Sequence, residues 1–575
     1  VKIRLTLFLL ATCICAYAQK SFLLEVNENG SASVLRKFNY SHKFTSAKER
    51  DREVLKILYT LYDNAYLTAR IDSVTGDSAT RSAYFTPGEK YEWAYLKKGN
   101  ADEGMLGAIG FREKLYRNKP VYYKDIRQLN ERILRWYENN GYPFASVRFD
   151  SVGIGSNSIS ATLHVEKNIL VKMDSVLLKG KGGISPVYIY NYIGIKPGDL
   201  YNESKVRVIS NRLRELPFLR ETRPFEVQFT EKMTKLILYP ERKKASQFDG
   251  VLGILPDNNT GKVVFTGDVH LKLQNPFAHG ELMELNWRRL QTQTQDLRTH
   301  LVLPFLFRTP FGADAAFKLY KKDTTFLEVN PNLGIQYVLS GGNYLKVFVN
   351  QKRSSLLSTK GLEFITVLPP YADITTTLYG IGYHSEKLDY RLNPRKGYAG
   401  GITLSAGNKH IIENPKLNPL VYKDIKLVTA QYTAEADLSY YVPLFRKSTL
   451  RTAFNGGILQ SDNIFENELF RFGGFRTLRG FDEESLHASA YGILTLEYRY
   501  LLEQNSYLYF FGDGAWYEKN TVEGYIHDMP FGFGSGISFE TKAGIFSIGY
   551  ALGKQFNNPI YLKSGKVHFG IVSYF

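Results

Sequence analysis

The chain is almost without cysteine. It has two in 575 residues, Cys13 and Cys15, both near its first residue. Past them no disulfide can form, so stability rests on packing and hydrogen bonding. Long apolar runs are missing too. Beyond the N-terminal segment no stretch reaches the ~18 consecutive apolar residues of a membrane helix, which excludes helical spans. Catalytic signatures are also absent. There is no G-x-S-x-G, no H-E-x-x-H and no P-loop, and the ten histidines are scattered. The cluster Gly180, Gly182, Gly183 lacks the following helix with Lys-Ser or Lys-Thr that a phosphate loop needs, so it reads as a turn. No enzyme activity, no cofactor and no metal site are expected.

Aromatic residues and glycine are abundant: 40 Tyr, 37 Phe and 48 Gly, with aromatics at 14%. Without long apolar runs, this suits a β-rich protein with aromatic girdles, such as a transmembrane barrel. The formal net charge is +17. Such an excess fits nucleic acid, anionic lipid or acidic partners. The first residues argue against nucleic acid. Lys2 and Arg4 precede an apolar core, Leu5 to Cys15, and Ala16-Tyr17-Ala18 is a cleavage pattern, so residues 1–18 read as an export signal. Thr12 before Cys13 is a poor context for lipidation. The basic residues are dispersed, as surface and lumen charge would be.

From residue 19 to about Arg242, short strands alternate with helices. Val54, Ile57, Leu58 and Leu61 recur at helical spacing between Ser46 and about Tyr66. Strands are expected at Phe22 to Val26, Ile71 to Val74 and Tyr91 to Leu96. Ile126, Leu129, Ile133, Leu134 and Tyr137 share one face of a second helix, which stops at Asn140-Gly141. Ala145 to Val152 and Ser158 to Val165 follow as a hairpin. A third unit opens at Leu170 to Leu178. Its helix, Glu203 to Leu216, turns Val206, Ile209, Leu213 and Leu216 inward, and Pro217 ends it. Phe225 to Phe229 and Lys235 to Tyr239 are its last strands. Three β-α-α-β-β units of roughly 75 residues make a supersecondary repeat. The boundaries are 19–98, 99–167 and 168–243. Each unit leaves a sheet edge on which an extended peptide can add as a strand.

Residues 244–575 carry no amphipathic helix. About sixteen alternating segments start near residues 248, 261, 279, 295, 311, 324, 342, 373, 397, 426, 448, 490, 506, 530, 544 and 566, an even number that closes a barrel and removes its edges. Leu494, Leu496, Tyr498, Tyr500 and Leu502 share one face, with Thr495, Glu497 and Arg499 opposite. A charge facing lipid at mid-depth costs ~2–4 kcal/mol, so Glu497 and Arg499 should face the lumen. Leu508, Phe510 and Trp516 facing lipid turn Asp513 inward by the same argument. Tight turns are expected at Asn275-Pro276-Phe277 and Arg308-Thr309-Pro310-Phe311. The long connection, Asp462 to Ala490, should leave the opposite, extracellular side. It contains RFGGFRTLRGFDE, Arg471 to Glu483, whose glycines allow a compact bent loop. The final strand, Val567 to Phe575, alternates and ends on an aromatic residue. Gly570 there either bends the strand or allows close packing.

These features together resemble the BamA/TamA outer-membrane assembly superfamily. The three units are similar to POTRA domains, and a barrel with Leu478-Arg479-Gly480-Phe481 in the loop after the eleventh strand matches the superfamily signature. The resemblance implies a loop folded into the lumen, with Arg479 meeting acids on the next two strands, Glu497 and Asp513. It also implies that Asp389 to Tyr398 is the D-x-x-x-x-P-x-x-G segment entering a mid-barrel strand. The last strand resembles the outer-membrane recognition signal, with Ser573 departing from it. Three units favour the TamA-like branch. Arg499, on the same face as Glu497, either braces this network or lines the lumen, and lining is the favoured reading.

The implied function is outer-membrane protein insertion. The units would capture unfolded outer-membrane protein substrates, and the seam between the first and last strands, at Gly570 and Phe575, would pass them into outer-membrane lipid. A TamB-like or other accessory periplasmic protein is a further implied partner. The alternatives are a two-partner-type secretion channel and a passive pore. Depletion separates them: an insertase loses several outer-membrane proteins, a transporter one exported substrate, and a pore only permeability.

Overall fold

The computed structural model describes the chain except residues 1–20, 31–32, 257–262, 292–293, 340–341, 363–364, 368, 424, 542–543 and 575. The expected export signal, with Cys13 and Cys15, lies outside the described residues, as does Phe575. The chain divides into two compact units. One runs to Lys172 and includes Asp199–Val206; the other comprises Met173–Gly198 and Arg207–Phe575.

The first unit holds two sheets. In one, Phe22–Glu28 pairs in parallel with Thr80–Thr86, and Lys43–Phe44 and Arg70–Gly76 form the edges. One helix, Ala47–Asp63, covers it, burying Val54, Ile57 and Leu61 as the spacing predicts. Ser46 caps it by accepting the Glu49 amide at 3.2 Å, which satisfies one of the unpaired donors of the first turn. The helix ends earlier than expected because Ala65 takes a left-handed conformation, φ 72°. The second expected helix of this unit is a single 3-10 turn, Leu35–Lys37.

The second sheet has the order Glu92–Lys97, Ser158–Glu166, Ser146–Ile154. Here the expected boundary moves. The strand at Tyr91 to Leu96, expected to close the first α/β unit, pairs in parallel with Ser158 to Thr162 of the next. The partition therefore falls before Glu92 and not after Lys98, because the inner strand that completes the first sheet is Thr80–Thr86, which the sequence reading did not mark. Helices Glu103–Ile109 and Tyr123–Asn139 complete this β-α-α-β-β unit. Leu129, Ile133 and Tyr137 are buried on the inner face of the longer helix. The two aliphatic side chains contribute ~1.5–3 kcal/mol each by apolar burial.

In the second compact unit, Ser175–Leu178, Thr234–Leu238 and Glu226–Phe229 form a third sheet. Helix Pro186–Ile193 was not foreseen from the pattern. The continuous helix expected from Glu203 is two pieces, Glu203–Val206 and Ile209–Glu215, and Val206, Ile209, Leu213 and Leu216 are all buried.

The barrel follows. Its first strand is Gln247–Pro256 and its last Lys566–Tyr574, and the described residues close an antiparallel sheet of sixteen strands, with Gly524–Asp528 and Phe531–Thr541 together forming the fourteenth. The expected segment starts fall within a few residues of the observed ones. Alternation decides the facing. Leu494, Leu496, Leu508, Phe510 and Trp516 are exposed on the outside, while Thr495, Glu497, Arg499 and Asp513 are buried within. Tight turns gather at one end, where residues 275–281 meet the third α/β unit. Asn275 Nδ2 donates to the Gly183 carbonyl at 2.9 Å, and Ser185 N donates to Ala278 O at 2.6 Å. Tyr188 fills the space beside Gly280, where any side chain would overlap its ring.

Candidate functional site

The connection between the eleventh strand, Ser448–Ser461, and the twelfth, Ala490–Leu501, begins at the end of the barrel opposite the tight turns. It folds back into the lumen and is held from several sides. Near its start, Lys409 on the ninth strand is fully buried and donates to the carbonyls of Asp462 and Asn463 and to Glu468 Oε2, all at 2.9–3.0 Å. Asn467 donates to Ser354 Oγ at 2.7 Å and to Ala372 O at 2.8 Å. Arg471 reaches Glu328 at 3.4 Å and lies over the Tyr320 ring at 3.8 Å. Glu328 is itself buried and also meets Lys318 at 3.1 Å and Lys352 at 3.8 Å. A lone carboxylate at such depth would be costly; the three cations around it offset the lost hydration.

The tetrapeptide Leu478-Arg479-Gly480-Phe481 sits against strands twelve to fifteen. Leu478 is buried with Phe472, Phe481, Leu486, Ile493 and Tyr517 in an apolar cluster inside the barrel. Arg479 makes a two-pronged contact with Asp513: Nε to Oδ2 and Nη2 to Oδ1, both 2.7 Å. Its backbone N–H also donates to Asp513 Oδ2 at 3.1 Å. Nη1 donates to Glu497, and the guanidinium lies 3.5 Å from the Phe511 ring centroid. A fork of donors facing a carboxylate, backed by an aromatic face, is the geometry that suits arginine and not lysine.

Gly480, at φ 93°, places its backbone against Leu552 and Gly553 of the fifteenth strand, where a side chain would strike main chain. Gly532 and Gly553 leave room for the Arg479 and Gly480 carbonyls in the same way. These two wall glycines were not singled out from the sequence. For Gly532 the signal available was the glycine alternation along strand fourteen; for Gly553, on strand fifteen, there was none.

Arg499 braces the network, the alternative to the favoured reading of simple lining. Its Nε donates to Glu497 Oε1 at 2.8 Å and its Nη1 to Asn393 Oδ1 at 2.9 Å. Asn393 belongs to the Asp389 to Tyr398 segment, a turn at the opposite end. There Asp389 Oδ1 accepts the amides of Tyr390, Arg395 and Lys396 at 2.9–3.1 Å. Arg395 donates to Arg446 O at 2.7 Å and Asn393 to Gln504 O at 3.0 Å, tying together three neighbouring turns. The two sequence motifs thus belong to one polar chain, Arg479, Glu497, Arg499, Asn393.

On either side of the tetrapeptide the loop also reaches the third, fourth and last strands. Glu484 meets Arg298 at 2.8 Å and Arg288 at 3.5 Å. Asp482 meets Lys566 at 2.7 Å on the last strand, and the Phe475 ring packs 5.5 Å from that of His568. The closure itself is short. Among the described residues the first and last strands pair only as Gln247 with Tyr574 and Phe248 with Ser573, whereas the first and second strands pair over ten residues. Gly570 keeps its register opposite Ser547, and a methyl group there would only touch Phe475, at 3.8 Å. The ladder with the fifteenth strand thus runs through Gly570 without a shift in register, and close packing does not demand the glycine.

Among the described residues no group of three or more His, Cys, Asp or Glu is arranged to hold a metal ion. Residues 340–575 match the Omp85 superfamily domain. CdiB from Acinetobacter baumannii is similar in structure at 14% identity and a TM-score of 0.54, covering 84% of this chain and 90% of its own. CdiB from Escherichia coli is similar at 13% identity and a TM-score of 0.53, covering 92% and 97%. BamA from Haemophilus ducreyi lacking POTRA domains 1-3 aligns at 13% identity with a TM-score of 0.43, covering 85% and 100%. No curated protein matches the sequence at a significant level. The likeness is at superfamily level and does not single out a TamA-like branch. At that level the function is insertion or secretion of proteins at the outer membrane, work done by assembly factors and transporters. Residues 340–575 thus carry an Omp85 superfamily domain, the larger part of a bacterial outer-membrane β-barrel preceded by periplasmic α/β domains.

Proposed function

We propose that this protein inserts unfolded barrel proteins into the outer membrane through the seam between its first and last strands. The observation that carries the reading is the two-pair closure. In lipid every backbone donor and acceptor needs a partner, so a partly unpaired strand edge favours pairing with an incoming strand. The soluble units support capture. Ser146–Ile154 is the edge of its sheet, and Val152 and Ile154 on it are exposed, which suits addition of an extended client strand. Arg479, Glu497 and Asp513 hold the lumen loop in place while the seam works.

The test is reconstitution in liposomes with a urea-unfolded barrel protein as client. Faster acquisition of the client's folded, protease-resistant form than in empty liposomes supports insertion. No acceleration, with the client exported into the vesicle or left outside, rejects it in favour of secretion or a passive pore.

A further inference from the structure

The outward face of the seventh to eleventh strands lies half the barrel away from the seam. These strands are Tyr344–Leu356, Asp373–Leu388, Gly397–Ile412, Val428–Phe445 and Ser448–Ser461. A groove of about 550 Å³ runs over this face, with Ala406 and Ala434 as its floor and Tyr379, Leu404, Tyr432 and Ile458 as its walls. Tyr379, Ala406 and Tyr432 are register partners in one row, and Leu404, Ala434 and Ile458 in the next. In each row a methyl side chain stands between two large, exposed ones, and this hollows the groove.

Toward the loop end of the barrel the same face turns polar. Arg353, Thr375 and His410 are register partners across strands seven, eight and nine. Lys352 and Ser354 point into the lumen, where they meet Glu468 O and Asn467, so alternation turns Arg353 outward. Lys409 and Ile411 are buried on the inner side, which turns His410 outward in the same way. Both outward side chains are exposed. Neighbouring strands lie ~4.8 Å apart, so the Arg353 and His410 backbones stand ~10 Å apart with the Thr375 hydroxyl between them. Asp373 is the only acid at the outward positions of strands seven to ten, and both its oxygens are engaged. Oδ1 accepts the Leu356 amide at 2.7 Å and Oδ2 the Asn414 Nδ2 group at 2.6 Å. Thr375 is four residues, or ~13 Å, beyond Tyr379 along its strand. The three donors therefore stand at the end of the groove, just past the aromatic pair Tyr379 and Tyr432, at the level where an aromatic girdle meets lipid headgroups.

We propose that this face seats a phosphate-bearing lipid of the outer leaflet. An acyl chain lies in the groove over Ala406 and Ala434, and the phosphate oxygens accept hydrogen bonds from Arg353, Thr375 and His410. A guanidinium meets a phosphate through two parallel N–H groups, which gives the contact direction as well as strength. The occupant is a lipid and not a free anion because the donors and the apolar groove are continuous along strands eight and nine. The leaflet is the outer one because the donors lie at the loop end, opposite the tight turns that meet the third α/β unit.

The experiment titrates the full chain in dodecyl maltoside with phosphorylated lipid A, with dephosphorylated lipid A and with inorganic phosphate, and reads binding by native mass spectrometry. The phosphorylated lipid should bind wild type at least ~10-fold more tightly than the dephosphorylated one, the size of one charge-assisted hydrogen bond. The double variant Arg353→Gln, His410→Gln should bind both lipids equally. Lys387→Gln, which removes an exposed lysine near the other end of strand eight, should bind as wild type does. Ala406→Leu fills the groove and leaves every charge in place, so it should weaken both lipids by a similar factor. It decides the matter by itself if the double variant does not fold, and heat-modifiability on seminative gels shows which variants keep a closed barrel. Equal binding of the two lipids to wild type overturns the proposal. So does an undiminished preference in the double variant, an equal loss in Lys387→Gln, or unweakened binding to Ala406→Leu. Displacement of the lipid by an equal concentration of inorganic phosphate reveals a free-anion site and overturns the lipid.

Discussion

Arg479 and Asp513 are joined three times over, by two guanidinium N–H groups and by the Arg479 backbone amide. Asp513 is 1% exposed, so water cannot take over if the arginine is lost. Arg479→Ala should destabilise the barrel and loop by about 3–5 kcal/mol, the usual cost of stranding a buried charge. Heat-modifiability on seminative gels and protease sensitivity near Arg476 check it. Arg479→Lys should recover only part of the loss, since one ammonium cannot meet both carboxylates in a fork. An unchanged melting profile for Arg479→Ala would count against the brace.

Gly532 and Gly512 lie on neighbouring strands and should answer an added methyl group differently. At Gly532 a Cβ runs into the Arg479 carbonyl, whereas at Gly512 it meets nothing within 4 Å. Gly532→Ala should loosen the loop and raise its hydrogen exchange. Gly512→Ala should stay within about 0.5 kcal/mol of wild type, as surface changes do.

Phe248 and Ser573 are register partners at the closure, and antiparallel partners stand ~4.5–5.5 Å apart at Cα, within reach of a disulfide. Cysteines at both positions, in a chain whose Cys13 and Cys15 are replaced, should form a bond on oxidation. The locked barrel should keep its thermal stability and lose client insertion, and reduction should restore it. Full insertion by the oxidised form would exclude the seam as the route.

Acid should weaken the second α/β unit through Asp102. Its hydrogen bond with Lys167 holds the carboxyl below its ordinary value of 3.8, with Tyr137 adding to the effect. The folded state therefore prefers the ionised form. Its contribution is complete above the unfolded value and is lost as pH falls through the depressed folded one. Asp102→Asn should flatten the pH dependence of unfolding below about pH 4, read by the fluorescence of Trp93 and Trp136 against the full chain.

Periodicity alone reached far in this protein. Lipid excludes charge, so Glu497, Arg499 and Asp513 could be turned inward from strand alternation with no coordinates. Strand starts were equally legible, because a one-residue slip would turn every side chain to the wrong face. Helical faces with Leu129 and Ile133, or Ile57 and Leu61, were readable for the same reason. The sheet partner of a strand was not. Glu92–Lys97 has the same local pattern whichever neighbour it joins, and only its parallel pairing with Ser158 to Thr162 assigns it to the second unit.

The site divides along the same line. The type and order of residues specified a glycine-rich loop, an arginine and two inward acids. Only the tertiary structure decided that Glu497 also holds Arg499, that Arg499 reaches Asn393 at the far turn, and that Gly532 and Gly553 clear the space for the loop. Those relations join residues distant in sequence, and their energies come from burial and hydrogen-bond geometry that no local pattern encodes. The short closure belongs there too, because the number of paired residues at the seam depends on how the last strand meets the first once the sheet has curled round.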